Sequence, residues 1–310
     1  MKQVVLALSG PTGSGKTEWG IRLAEDIDGA IIVADSRTVY RTLDIGTNKV
    51  TYEHLATQRE TSIGPVYRIE GIDHYGLDLC SPTEAFTASS FQDYAKTVLP
   101  ALWQQHRVPI LVGGTGLYID AVMEGFQFPA PARLSAEWQQ RPTAALMQEL
   151  QLWDPQTALT IDPKNRSRVE RALAYAFATG RSFSEAKKKV APSFAKAVFV
   201  IETDRAQLFQ RLDQRIQRWL DDGLLDEVRR LEQDGLQPER IQQLGFMYRL
   251  AYERIHEHIS EAEMVVRLSA ELRSFTKRQL TWWRRHPDVI WVSRYADLLR
   301  SAKKILKEAR

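Results

Sequence analysis

The chain has 310 residues, 44% of them hydrophobic and 26% charged, the proportions of an ordinary globular protein with core enough for one large domain or two smaller ones. Its formal net charge of +3 excludes a globally basic nucleic-acid binder, so any basic patch is local. A single cysteine, Cys80, excludes an internal disulfide and a cysteine-based zinc site. No window approaches the ~20 apolar residues of a membrane span. Together these features predict a cytoplasmic protein that does not enter the membrane.

Residues 4–8 (Val-Val-Leu-Ala-Leu) form a short apolar, β-branched run that predicts a buried strand. Gly10-Pro11-Thr12-Gly13-Ser14-Gly15-Lys16-Thr17 follows and fits G-x-x-x-x-G-K-[ST] at every fixed position. Trp19, Leu23, Ala24 and Ile27 then recur at helical spacing over residues 17–27. Strand, loop and helix are in the order phosphate binding requires. The glycines let backbone N–H groups turn inward, the helix N-terminus adds its dipole, Lys16 brings a mobile charge, and the Thr17 hydroxyl suits Mg²⁺. The loop predicts a bound di- or triphosphate group and leaves the reaction open.

Residues 30–34 predict a second strand, ending at Asp35 and Ser36. Residues 41–66 are polar and predict a loop with a short helix over 52–58. Residues 66–69 and 77–79 are strand candidates, Ser89 or Ser90 caps a helix running to about Gln105, and residues 109–112 are the continuous apolar run of a strand covered on both faces. Gly113-Gly114-Thr115-Gly116 breaks that run before a helix over 117–123. Composition shifts at Phe126, and from Ala144 to Lys189 every periodic segment is helical. Residues 197–201 return as a strand, followed by helices over 205–221, 240–256 and 261–285. The last places Met264, Leu268, Leu272, Phe275 and Trp282 on one face. Residues 289–292 are a final strand candidate and 296–308 a basic terminal helix. The pattern predicts an α/β protein, a P-loop NTPase-like parallel sheet flanked by helices. Residues 1–126 and 194–310 make its core, and a helical domain is inserted over 127–193.

Four constellations could carry chemistry. Asp35 stands at the carboxyl end of a strand, where parallel sheets bind ligands, and can serve as a general base or as a turn aspartate. P-loop hydrolases often place a Mg²⁺-binding aspartate where this chain has Gly113-Gly114. The glycines argue for close approach of a ligand to the backbone, or for a plain turn. Arg211, Arg215 and Arg218 share one helix face and suit either phosphate oxygens or solvent. Arg273, Lys277, Arg278, Arg284 and Arg285 surround Trp282-Trp283, a mixture that suits RNA or a solvated face over a core tryptophan. Lys164, Arg166, Arg168, Arg171 and Arg181 form a second local basic cluster.

Taken in order, these segments resemble the tRNA dimethylallyltransferase family, the tRNA isopentenyltransferases of bacteria and organelles. The resemblance runs through the phosphate loop and through Asp35-Ser36-Arg37-Thr38-Val39-Tyr40 with Asp44-Ile45-Gly46-Thr47-Asn48-Lys49. It continues in residues 74–91, 112–118 and 168–180, and in Lys277-Arg278-Gln279-Leu280-Thr281-Trp282. It implies transfer of a dimethylallyl group from its diphosphate to N6 of the adenosine on the 3′ side of the tRNA anticodon, by a monomer that engages the anticodon stem-loop. In that reading Asp35 is the base, Thr12 helps position base and adenine, and Gly10 to Thr17 hold diphosphate with Mg²⁺ at Thr17. Arg215 is the diphosphate-directed arginine. Asp35, Ser36, Arg37, Thr38, Thr115, Ser167, Arg168, Val169, Glu170, Arg171, Lys277 and Arg278 match RNA contacts. The chain departs from the family's I-G-Y-K-[EQ] with Leu244-Gly245-Phe246-Met247-Tyr248. Either Arg133 or Arg141 fits a further arginine contact, and no appended zinc finger is expected. The rival readings are a small-molecule or nucleoside kinase, a free-adenylate isopentenyltransferase, and a nucleotide-binding RNA protein without transfer chemistry.

Overall fold

Val4–Ser9 (β1) is buried along its whole length, as an unbroken apolar run requires when a strand is covered on both faces. In the computed structural model, which describes residues 3–53, 56–129, 132–186 and 189–309, the chain divides into two compact units. One comprises Met1–Met123 with Ser193–Arg310, the other Glu124–Pro192.

In the first unit, β1 leads through the glycine-rich loop into Lys16–Asp26 (α1) and then Gly29–Val33 (β2). Val50–Glu53 (α2) precedes three strands, Ala56–Thr61 (β3), Gly64–Ile69 (β4) and Ile72–Tyr75 (β5). Ala88–Gln104 (α3), Val108–Val112 (β6) and Gly116–Met123 (α4) complete the first pass. The second unit holds Ala136–Gln140 (α5), Thr143–Trp153 (α6), Pro155–Thr160 (α7), Arg166–Thr179 (α8) and Phe183–Ala186 (α9). Its core is built by Leu134, Leu146, Leu150, Val169 and Leu173. The chain re-enters the first unit at Ala195–Ile201 (β7) and continues through Arg205–Asp221 (α10), Leu224–Gln233 (α11), Pro238–Gln243 (α12), Phe246–Ile255 (α13), Glu261–Trp283 (α14), Ile290–Val292 (β8) and Tyr295–Glu308 (α15).

Among the described residues the strands form one sheet in the order β3-β4-β5-β2-β6-β1-β7-β8. Pairing is parallel from β5 to β8 and antiparallel only at the β3-β4-β5 edge. β6 therefore lies between β1 and β2, so the segments following these three strands end side by side at the carboxyl edge of the sheet. That edge is where open parallel sheets bind ligands.

Several sequence expectations are corrected here. Residues 56–61 are a strand rather than loop or helix. β3 is an almost wholly exposed edge strand, so the alternation that marks a half-buried strand is missing from its sequence. Residues 54 and 55 of the expected helix lie outside the described residues, and residues 52 and 53 are the end of α2, which starts earlier. Residues 77–79 are not a strand: Asp78 takes a φ of +53°, and the parallel partner of β2 is instead β5. Helix α3 begins at Ala88 because Thr87 caps it: Thr87 Oγ1 accepts from Ser90 N at 3.1 Å, and Ser90 Oγ accepts from Thr87 N at 3.3 Å. The helix expected over 240–256 is two helices, α12 and α13, separated by Leu244 and Gly245. On α14 the buried stripe runs Met264, Leu268, Leu272, Thr276, Gln279 and Trp283, so Trp283 is the core tryptophan and Trp282 is half-exposed.

Candidate active site

The phosphate loop joins β1 to α1, with Gly13 and Gly15 both at φ +84°, a conformation that a side chain would strain. Around it opens a cavity of about 960 Å³, lined by Thr12, Gly13, Gly15, Lys16 and Thr17 of the loop and by Asp35 and Thr38 after β2. Gly113 and Gly114 after β6, and Arg211, Arg215 and Arg218 from α10, complete its polar wall. Ile31, Val33, Val50, Leu77 and Val112 add an apolar wall. A phosphate-sized anion and an apolar group thus find matching surfaces in one cavity.

The electrostatics follow from this crowding of cations. Lys16 Nζ donates to Pro11 O at 2.9 Å. Its pKa is pulled down from 10.5 to about 8, first by burial, then by the Arg215 guanidinium, and Asp35 partly opposes both. The sign matters for pH. The folded chain sheds this proton near pH 8 and the unfolded chain only near 10.5, so the cost of holding the charge is present below about 8 and is relieved above it. A bound anion restores the charge. Diphosphate affinity is therefore expected to fall as pH rises through about 8. The check is isothermal titration with inorganic diphosphate against Lys16→Arg, whose guanidinium keeps its charge throughout the range; a wild-type to variant affinity ratio that stays flat would refute the assignment.

The three arginines of α10 all face the cavity, and Arg211 Nη1 donates to Gly13 O at 3.2 Å. Arg211 and Arg218 are also exposed to solvent, and Arg215 is half-buried. Asp35 lines the cavity, and its Oδ1 accepts from Arg37 N at 2.8 Å, closing an Asx turn. Ser36 N donates to Thr115 Oγ1 at 3.0 Å, which ties the β2 loop to the β6 loop. Ser36, Arg37 and Thr115 are not among the residues that line the cavity.

The glycines after β6 line the cavity, and the protein's own packing also requires them. A Cβ on Gly113 would lie 2.0 Å from Ala34 O, and one on Gly114 would lie 2.3 Å from Gln279 Nε2. Gln279, buried on α14, accepts from Thr12 N at 2.8 Å through Oε1 and donates to Gly114 O at 3.0 Å through Nε2. Next to it, Trp282 Nε1 donates to Asp120 Oδ2 at 3.0 Å and Trp283 Nε1 to Ser9 Oγ at 2.8 Å. Lys277 and Arg278 remain exposed on the opposite side of this turn.

A second polar centre holds the segment after Asp35. Glu227 is buried and accepts from the backbone N–H of Asp44, Ile45 and Gly46 at 2.9, 2.7 and 3.2 Å, and from Tyr248 Oη at 2.7 Å. Burial and the Glu227 carboxylate push the Tyr248 hydroxyl far above its ordinary range. Lys49 is buried between Asp44 and Asp78, each 2.6 Å away, and Tyr40 O at 3.0 Å. Within the motif segment Asp44 to Lys49, Thr47 and Asn48 line the cavity. Tyr248, in the altered 244–248 segment, belongs to this core.

In the helical unit, Ser167, Arg168 and Arg171 are exposed on α8. Val169 is fully buried in the unit's own core, so a direct RNA contact there is corrected: it faces Leu146 and Leu150 because it lies on the apolar side of its helix. Glu170 pairs with Arg166 at 2.7 Å. Arg133 is exposed, whereas Arg141 stacks 3.8 Å over Trp138 and bonds Glu137.

Among the described residues no cluster of three or more His, Cys, Asp or Glu could hold a metal alone. The cavity wall does offer the Thr17 hydroxyl with the Asp35 and Glu18 carboxylates. Such a sparse set of hard oxygen donors fits Mg²⁺, which takes few protein ligands and completes its shell with phosphate oxygens and water.

A family model described as IPP transferase matches residues 38–286. The chain is 36% identical to the tRNA dimethylallyltransferase of Lachnoclostridium phytofermentans over 99% of this chain and 98% of that one. It is 37% identical to tRNA dimethylallyltransferase 1 of Trichlorobacter lovleyi over 94% of each. Among solved structures, the tRNA isopentenylpyrophosphate transferase of Bacillus halodurans superimposes with a TM-score of 0.72 at 28% identity, covering 100% of this chain and 98% of that one. A eukaryotic dimethylallyltransferase crystallised acting on tRNA shares the fold, with a TM-score of 0.74 at 23% identity over 94% of this chain and 74% of that one. With a family model matched over most of its length and enzymes of this kind matched from end to end, the chain belongs to the IPP transferase family, that of the tRNA dimethylallyltransferases.

Proposed function

We propose that this chain transfers a dimethylallyl group from dimethylallyl diphosphate to N6 of the adenosine 3′-adjacent to the anticodon of tRNA, giving N6-isopentenyladenosine. The observation that carries the reading is one cavity in which Lys16 and Arg215 meet Asp35 beside an apolar wall. The allylic C–O bond breaks with its electron pair going to diphosphate, where the loop N–H groups, Lys16 and Arg215 stabilise the growing charge. The N6–C bond forms on the other side of that carbon, and the N6 proton passes to the Asp35 carboxylate. Thr12 of the loop lines the same cavity as Asp35 and is suited to orienting the adenine. Mg²⁺, held by the Thr17 hydroxyl with diphosphate oxygens, would neutralise leaving-group charge. The adenine has to leave its stack to reach a cavity of this depth.

RNA phosphates are expected on exposed Lys277, Arg278, Arg168 and Arg171, with Ser167 beside them and Asp35, Ser36, Arg37, Thr38 and Thr115 near the flipped nucleotide. tRNA affinity should then fall with salt, and Lys277→Ala with Arg278→Ala should reduce that log–log slope by about 1–2. Diphosphate binding should stay as in wild type. A slope equal to the wild type's would leave these two charges as a solvated face. No helix among the described residues is long and apolar enough to cross a membrane, and we take the enzyme to act as a cytoplasmic monomer.

The glycine pair after β6 speaks against a nucleotide-hydrolysing or kinase reading, because no carboxylate stands at that strand end to hold the metal of a triphosphate. Two measurements test the proposal. Mass spectrometry of nucleosides from tRNA incubated with the protein and dimethylallyl diphosphate should show the added prenyl mass on adenosine. In melting experiments with Mg²⁺ at equal ligand concentration, dimethylallyl diphosphate should protect more than ATP. Protection by ATP alone, with unmodified tRNA, would point to the kinase.

A further inference from the structure

The Pro11–Thr12 peptide of the phosphate loop is held at both ends. Its C=O accepts from Lys16 Nζ at 2.9 Å, and its N–H donates to Gln279 Oε1 at 2.8 Å. Because a peptide is planar, the two groups turn together. Whatever fixes the N–H also aims the C=O that Lys16 holds. The other end of the Gln279 amide is fixed in turn, Nε2 donating to Gly114 O at 3.0 Å. The missing Cβ of Gly114 makes room for it, and on a side chain's first carbon at that position the amide would be 2.3 Å away and Lys16 Nζ 4.0 Å away. Gln279 itself is 6% exposed and does not line the cavity.

From this geometry we infer that Gln279 is a positioning residue for the diphosphate step: through one peptide plane it aims the loop and the Lys16 ammonium at the leaving group. The chemistry of its two partners explains why an amide stands there. Thr12 N offers only a donor and Gly114 O only an acceptor, so the side chain between them must accept at one atom and donate at the other. A neutral amide of this length does both. A thioether accepts only weakly and donates nothing, and an ionised carboxylate satisfies Thr12 but faces Gly114 O with a lone pair. A protonated carboxylic acid again does both. Trp282 and Trp283 on the same turn, bonded to Asp120 and Ser9, keep the helix registered against the loop.

The test uses inorganic diphosphate binding in the full chain, and it rests on the transferase reading only where transfer kinetics are added. Gln279→Met is expected to weaken diphosphate binding about tenfold or more, the scale of one lost buried hydrogen bond with its stranded partner. tRNA affinity should stay within twofold. Gln279→Glu is expected to bind diphosphate nearly as wild type at about pH 5.5, where the acid is protonated, and to lose affinity progressively toward about pH 8. Each value is taken as a ratio to wild type at the same pH. That division cancels the titration of diphosphate itself and, to first order, that of Lys16, the charged group facing Gln279 from α1; Lys277 and Arg278 on its own helix are exposed to solvent.

With saturating tRNA and dimethylallyl diphosphate, kcat should follow the same ratios. A Met variant with wild-type diphosphate affinity, or a Glu-to-wild-type ratio that is flat with pH, overturns the inference. If the Met variant does not fold, the Glu variant at two pH values in one preparation still decides. Should wild type bind diphosphate yet leave tRNA unmodified, the transferase reading fails while the binding comparison still judges Gln279.

Discussion

Transfer by the Asp35→Ala enzyme is expected to fall by about 10² or more, the usual scale for a lost general base. Both substrates should still bind. Asp35 lines the cavity, and its Oδ1 is anchored by Arg37 N at 2.8 Å, which holds the carboxylate still. Asp35→Asn can keep that turn and still lacks a base, so it should be nearly as slow. The carboxylate also raises the pKa of Lys16, and its loss should move the Lys16 proton release to lower pH. The comparison therefore belongs at a pH of about 6.5, where Lys16 stays charged in both proteins. Single-turnover rates of N6-isopentenyladenosine formation within a few-fold of wild type would remove Asp35 from the proton transfer.

The second large effect is on stability. Glu227→Ala strips the acceptor from three backbone N–H groups and the Tyr248 hydroxyl. Each buried donor left without a partner costs about 1–3 kcal/mol, and water entering the vacated space recovers part of that. A loss of roughly 3–5 kcal/mol follows, several degrees in melting temperature for a protein of this size. Tyr248→Phe removes one of the four bonds and should cost only about 1 kcal/mol. Equal melting temperatures for Glu227→Ala and wild type would mean that the 44–46 segment is held by something else. Because that segment leads into Thr47 and Asn48 of the cavity wall, the Glu227 variant should also bind substrate more weakly at temperatures where it remains folded.

Much of this was legible in the sequence, and the part that was not shares one cause. The strand–loop–helix of the phosphate site and the limits of α10 follow from local patterns, apolar runs and a stripe at helical spacing, that need no partner to be read. β3 escaped because an exposed edge strand buries neither face. Glu227 and Gln279 escaped because their meaning lies in partners 181–183 and 267 positions away in the chain. The same distance hid what packs on Gly113-Gly114, the Ala34 carbonyl and the Gln279 amide. Val169 was carried into the RNA-contact segment with its exposed neighbours because a stretch of sequence does not separate the two sides of a helix.

The position of β1 between β6 and β7 has a consequence for how the chain is made. β1 leaves the ribosome before both of its partners, strands whose first residues are Val108 and Ala195. Its loop is tied down by a side chain 267 residues later. At typical translation speeds that delay is on the order of 13–50 s. Throughout it the nascent chain carries a complete phosphate-loop sequence with no second wall, no α10 arginines for most of the interval, and no clamp on Thr12. Diphosphate and nucleotides in the cell therefore meet an unfinished anion site, and capture of the substrate becomes one of the last properties the polypeptide acquires.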